Sequence, residues 1–284
     1  MTSAVAAAAL FALLAFAANS LLCRMALRQA HIDPATFTSV RIVAGALTLW
    51  AITHLRGRPA AMGGNWPAAL ALFGYAVAFS FAYTGLTAGT GAVLLFGAVQ
   101  VTMLSAGFLA GERVDASVAL GWLLAVAGLG VLLLPGVAAP PLLQAALMLS
   151  AGVAWGVYSL RGRRSHDALA DTAGNFARAV PGALLVSALA WSHRSADATG
   201  MLLAALSGAV ASGVGYAAWY LALPKLGAIA AANAQLCVPV ITALGGVVLF
   251  AEPIGMRLAA AAALVLGGSA LAVRRGLRLR AGAG

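Results

Sequence analysis

Charge is scarce in this chain. Only 8% of its 284 residues are Asp, Glu, Lys or Arg, against roughly 25% in a soluble domain. With so little charge and 63% hydrophobic residues, it cannot build a surface for water, and lipid must be its solvent. Acids are the scarcest of all. The full set is Asp33, Glu112, Asp115, Asp167, Asp171, Asp197 and Glu252, and each falls at the edge of an apolar run or in a connection. The same holds for His31, His54, His166 and His193. No carboxylate or imidazole is therefore placed near a bilayer midplane to relay protons, or to serve an intramembrane enzyme such as a prenyl or acyl transferase. Tight proton coupling through a buried acid is disfavoured. Movement down the substrate's own gradient, or coupling through edge groups, remains. Glu112 and Glu252 are the edge candidates, beside the plainer reading that each contacts the helix that follows it.

Other absences narrow the field further. The two cysteines, Cys23 and Cys237, have neither a CxxC neighbour nor a nearby His. They read as small buried hydrophobes, with no metal site and no disulfide framework. No phosphate-binding G-x-x-x-x-G-K-[ST] loop is present, so ATP does not drive this chain by itself. No cofactor is expected. The net charge is +10, but the cations sit in short connections and in the terminal RRGLRLR, as in membrane proteins with a basic cytoplasmic side. No basic face interleaved with exposed aromatics points to nucleic acid.

What the sequence has is apolar runs. Ten spans are expected: 3–23, 35–54, 66–86, 89–110, 116–135, 142–160, 172–191, 200–222, 227–250 and 255–274. The first lacks a basic start and is too long for a cleaved signal segment, so it is read as a retained helix. The fold class is an all-α polytopic membrane protein of ten transmembrane helices.

A phrase recurs within these runs. Residues 41–47 read RIVAGAL and residues 178–184 read RAVPGAL. A shift of 137 residues pairs Arg41 with Arg178, Gly45 with Gly182, Arg24 with Arg161, Phe79 with Tyr216 and Tyr83 with Tyr220. A shift of 140 pairs Glu112 with Glu252, Val114 with Ile254 and Gly128 with Gly268. The chain thus divides into residues 1–137 and 138–284, each with five helices. Five is odd, so the second half starts on the opposite side of the membrane, and the two halves are inverted repeats of the kind that alternate access. With the N-terminus inside, 11 of the 17 Lys and Arg face the cytoplasm, 4 face the other side, and Arg41 and Arg178 lie within spans. Both termini are then cytoplasmic.

The phrases PATFTSVRIVAGAL, AGERV and AEPI, with the Gly-rich fifth helices GWLLAVAGLG and AAAALVLGG, resemble the drug/metabolite transporter superfamily, and within it the bacterial EamA-type exporters. The chain looks most like YddG-type amino acid exporters, which favour aromatic amino acids. The resemblance covers the whole chain. It implies a bacterial inner-membrane exporter with an amino acid as its small-molecule partner, lipid around it and a monomeric state. Gly156 departs from the pattern, since many relatives carry a bulkier residue there, and this bears on pocket size.

The candidate substrate-binding residues follow from helical spacing. Tyr75, Phe79 and Tyr83 share one face at i, i+4 and i+8, as do Ser212, Tyr216 and Tyr220, and Trp155 with Tyr158. Phe79, Trp155, Tyr158 and Tyr216 lie deep enough to wall a cavity. Tyr83 and Tyr220 stand near helix ends, where an interfacial belt is the competing reading. An aromatic wall stacks on an aromatic side chain or holds an ammonium. Asn19, Gln100 and Gln235 are buried amides able to bind a carboxylate and an ammonium, or to join helices. Gln235 precedes Pro239, where a broken helix frees backbone groups for a cavity. Asn233 reads as helix-joining. Gly121, Gly128, Gly130, Gly267 and Gly268 are expected to bring backbones close. Arg41 and Arg178 are read as tethers that snorkel to opposite interfaces. A gate contact or attraction of a substrate carboxylate is the alternative. A broad efflux protein for lipophilic cations is the runner-up function, and it would want an acid deep in the cavity.

Overall fold

The computed structural model describes residues 3–57, 63–111, 116–136, 139–162, 165–226 and 234–281, without the side chains of Pro224 and residues 273–281. Ten helices run through them: α1 Ser3–Arg28, α2 Pro34–Leu55, α3 Trp66–Ala82, α4 Ala88–Leu109, α5 Ala116–Leu133, α6 Leu142–Gly162, α7 Ala168–Leu189, α8 Ala198–Ala222, α9 Cys237–Phe250 and α10 Met256–Ala281. Six of these, α1, α2, α4, α5, α6 and α8, are long and apolar enough to cross a membrane. The seventh helix carries Asp171, Asn175 and Arg178 and falls outside that group. Residues 234–235 are helical, residue 236 is a turn, and α9 runs on from Cys237, while Asn233 and Glu112 lie outside the described residues. The interruption falls just upstream of Pro239, whose missing N–H and ring leave the Gln235 carbonyl without its usual helical partner.

The position of the acids now has a structural reason. The first N–H groups of a helix need acceptors, and lipid supplies none. Asp33 accepts from Ala35 and Thr36 at the start of α2, with Pro34 in the first turn. Asp167 caps α7 through Ala170, and Asp197 caps α8 through Gly200 at 2.7 Å. Asn65 and Thr87 serve α3 and α4. The edge acids are largely the punctuation of the bundle.

Connections pair up across the fold. The α1–α2 and α7–α8 connections zip together: Asp33 N donates to Ser195 O, and Asp197 N to His31 O, both at 2.8 Å. Arg257, at the start of α10, donates to the carbonyls of Leu134 and Pro135 after α5. These connections share one end of the bundle with Arg24. At the other end, the backbone N–H groups of Gly64 and Asn65 donate to Asp171 and Asn175 of α7.

Helix α5 packs along α10, α3 along α6, α2 along α7 and α8, and α1 along α8. The α5–α10 seam is set by glycine. A Cβ on Gly121 would stand 2.4 Å from the Gly268 carbonyl oxygen, and one on Gly268 would stand 2.5 Å from that of Gly121. Gly128 likewise meets Val265 and Ala261. Gly130 and Gly267 face open space, so for those two the expectation of close packing is corrected. Cys23 is buried, but Cys237 is exposed on the bundle surface, which corrects the reading of both as interior.

One helix is irregular. Residues Ser207–Val214 of α8 form a π-helical segment. Such segments widen the turn and recur at functional sites. Here glycine is required by α2: a Cβ on Gly208 would lie 2.2 Å from the Arg41 carbonyl oxygen. Gly45 of α2 meets Phe176 and the Gly208 carbonyl in turn.

Candidate functional site

The expected aromatic faces converge. Tyr75 lies 4.8 Å from Trp155 and 5.3 Å from Phe79, ring centre to ring centre. Trp155 continues to Tyr158 at 5.3 Å and to Tyr216 at 5.7 Å. Tyr216 stacks on Tyr220 at 6.1 Å. Four helices, α3, α6, α8 and α7 with Phe176, thus contribute to one continuous run of rings. Such contacts favour tilted and offset geometries of this range. Phe16 of α1 joins it at 5.6 Å from Tyr216.

Polar groups thread the rings. Asn19 donates through Nδ2 to the Tyr75 hydroxyl at 3.2 Å, and its Oδ1 accepts from Ser207 at 2.6 Å. One amide thereby ties α1 to α3 and to the π segment of α8. At the other end of the run, Tyr158 donates to the Thr172 hydroxyl at 3.2 Å, and that hydroxyl stands 3.3 Å from Tyr220. A small cavity of about 20 Å³ beside Tyr158, Thr172, Asn175 and Tyr220 has room for about one water. Here the rings are packed against one another.

Arg41 corrects the sequence reading most sharply. A snorkelling tether would carry its guanidinium to an interface. Instead the side chain is only 2% exposed, and its guanidinium lies 5.1 Å from the centre of the Tyr75 ring and 4.9 Å from that of Phe79. Its Nε and Nη1 have no hydrogen-bond partner among the described residues. Arg178 behaves as expected: it reaches back along α7 and donates to the Gly63 carbonyl.

Tyr83 extends the run beyond Phe79, edge-on at 4.8 Å; it is fully buried, and its ring fills the space left by Gly91 of α4. It is no interfacial belt residue. Gln100 and Gln235 are half-buried, and no hydrogen bond joins either to the rings among the described residues. Ser212 bonds to the Ser207 carbonyl within its own helix at 2.9 Å. Gly156 faces α4, where a Cβ would stand 2.9 Å from Thr102. Its smallness serves helix packing, not pocket size.

Sequence reasoning missed Phe16, Phe176, Ser207 and Thr172. Phe16 stands three residues before Asn19 and so shares its face; that spacing was a usable signal. Ser207 was hidden by the π segment, which shifts the angular register that ordinary helical spacing assumes.

The end of the bundle near Arg24 is latched. Arg24 Nε donates to Glu252 Oε1 at 2.9 Å, and the other carboxylate oxygen accepts from Ala88 N, at the start of α4, at 2.7 Å. Arg24 also reaches the Tyr83 carbonyl at 3.3 Å, and Arg28 reaches that of Phe250 at 2.9 Å. Ala251 takes a left-handed conformation, φ 53°, which folds Glu252 back over Gly246. A Cβ on Gly246 would meet Glu252 Oε2 at 2.9 Å. Glu252 thus contacts α1 and α4, not the following tenth helix as expected.

Comparison with known proteins agrees with this architecture. An uncharacterized protein of Pseudomonas aeruginosa is 54% identical over 275 residues, covering 96% of each chain. A crystal structure superimposes with a TM-score of 0.67 over 98% of this chain and 100% of its own, at 21% identity. That likeness concerns the fold alone. The EamA-like transporter family matches the sequence twice, at residues 3–134 and 142–274. Its two matches take in nearly all of the helical bundle, so the chain belongs to the EamA-like transporter family, within the drug/metabolite transporter superfamily, and is a multi-pass membrane transporter of small molecules.

Proposed function

We propose that this chain exports amino acids, aromatic ones included, across a bacterial inner membrane. Two inverted five-helix halves open the central cluster first to one side and then to the other, with both termini in the cytoplasm. The observation that carries the reading is the meeting of Tyr75, Phe79, Trp155 and Tyr216 around Asn19. Such a wall offers ring faces to an aromatic side chain and amide groups to its polar end. Substrate binding is assigned to Asn19, Phe79, Trp155, Tyr158 and Tyr216. The packed rings and the Arg24–Glu252 latch match a conformation closed toward the Arg24 end.

Efflux of lipophilic cations is the weaker reading. A buried guanidinium within the cluster repels a second cation, and among the described residues its only ring partners are Tyr75 and Phe79. No acid stands beside it as an ion-pair partner among the described residues.

Uptake into proteoliposomes containing only this protein tests the proposal, using labelled amino acids with and without a pH gradient. Saturable uptake of aromatic amino acids is expected, with no requirement for the gradient. Trp155→Ala should lower it by about tenfold, as loss of one stacking partner worth about 1–1.5 kcal/mol implies. Uptake of a cationic dye with none of any amino acid would reverse the order of the two readings.

A further inference from the structure

A buried cation needs a partner. Taking a guanidinium out of water costs several kcal/mol even after relaxation. Around Arg41, two ring faces return part of that, since a desolvated cation–π contact is worth about 2 kcal/mol. Yet Nε and Nη1 present N–H groups to no acceptor. The ion pairs among the described residues, Arg24–Glu252 and His31–Asp197, lie elsewhere. Arg41 is therefore a fixed positive charge with unused donors, held next to a polar amide and a wall of rings.

The position is built, not incidental. Gly208 and Gly45 bring α2 and the π segment of α8 into backbone contact at Arg41. Tyr75 is held from the other side by Asn19. Arg178, its counterpart in the repeated phrase, reaches the Gly63 carbonyl. Arg41 meets two ring faces and the Tyr75 hydroxyl, and its Nε and Nη1 stay unused.

We propose that Arg41 is the anion anchor of the central site, pairing with the carboxylate of the transported molecule. This rests on the transport reading above and sharpens it to a substrate that must carry a carboxylate. Ring faces of Trp155 and Tyr216 take the apolar remainder. The ligand's charge supplies what the protein omits, so binding neutralises Arg41 where water cannot.

The test uses the purified full-length protein, with tryptophan fluorescence as readout, since Trp155 lies beside Tyr75. Phenylacetate and phenethylamine share a ring and differ in charge. Phenylacetate should bind and phenethylamine should not. Arg41→Gln should weaken phenylacetate by about ten- to a hundredfold, the loss of a hydrogen bond to a charged group. Arg178→Gln should leave it unchanged. Phosphate and chloride, titrated alone, separate a carboxylate-plus-ring site from a bare anion site; equal binding of either would overturn the assignment. Tighter wild-type binding of phenethylamine than of phenylacetate, or no carboxylate binding at all, would also overturn it, and neither result needs a folded variant. Arg41-dependent phenylacetate binding without amino acid uptake would retain the anchor and remove the transport reading. Normal amino acid uptake by Arg41→Gln would do the reverse.

Discussion

On the alternating-access reading proposed above, Glu252 holds the Arg24 end of the bundle shut, and its removal has a calculable effect. Both carboxylate oxygens are used, one on Arg24 at 2.9 Å and one on the first turn of α4 at 2.7 Å. The two side chains are 12% and 9% exposed. Each charge-assisted bond is worth about 1.5–3 kcal/mol, and residual solvation of both groups takes back part of the sum. A net loss of about 3 kcal/mol from the closed arrangement is reasonable for a nearly buried pair broken on one side. That is about a hundredfold in the equilibrium between closed and open. Cys23, one residue before Arg24 and wholly buried, is a built-in reporter. With Cys237 changed to Ser, Cys23 in Glu252→Ala should react with N-ethylmaleimide about a hundredfold faster than in the parent. Adding Arg24→Gln should give little more, because the two residues act as one unit. An unchanged rate in a variant that still melts cooperatively would refute the latch.

Two further outcomes follow from packing and charge. Gly208→Ala forces a Cβ to 2.2 Å from a backbone oxygen of α2, so the melting temperature should fall as if about 2–3 kcal/mol were lost; Gly267→Ala, with nothing within 4 Å, should be neutral or gain up to about 1 kcal/mol of helix propensity, and equal behaviour of the two would remove the close-approach argument. Asp197 has its acidity strengthened first by the Gly200 N–H it caps and then by His31, so its folded pKa lies below the ordinary 3.8. A depressed carboxylate stabilises above its unfolded pKa and loses that support as pH falls through the folded one; amide exchange at Gly200 should therefore accelerate only below the ordinary carboxylate range, and the acceleration should vanish in Asp197→Asn.

The sequence made the bundle legible because its strongest signals are about solvent. Apolar runs, edge acids and short connections all follow from lipid satisfying no polar group, and the helices begin and end close to where those signals change. The aromatic faces were legible for a similar reason, since i, i+4 spacing on α3 needs only a regular helix. Legibility stopped where regularity did. In the π segment of α8, Ser212 bonds to the Ser207 carbonyl five residues back, and the Ser207 hydroxyl reaches Asn19.

Arg41 and Arg178 show the limit in another way. One repeated phrase invites one explanation, yet the two side chains have opposite fates. What separates them lies around the phrase. Seven and three residues before Arg178 stand Asp171 and Asn175, which hold Gly64 and Asn65 and so bring the Gly63 carbonyl within reach. The matching positions before Arg41 are Pro34 and Thr38; Thr38 bonds to its own helix at the Pro34 carbonyl. The connection drawn to the start of α2 is held by Asp33 through Ser195, and the Arg41 guanidinium lies against the rings of α3. A duplicated cation thus became a tether where a neighbouring connection brings it a carbonyl, and a fixed interior charge where it meets rings instead.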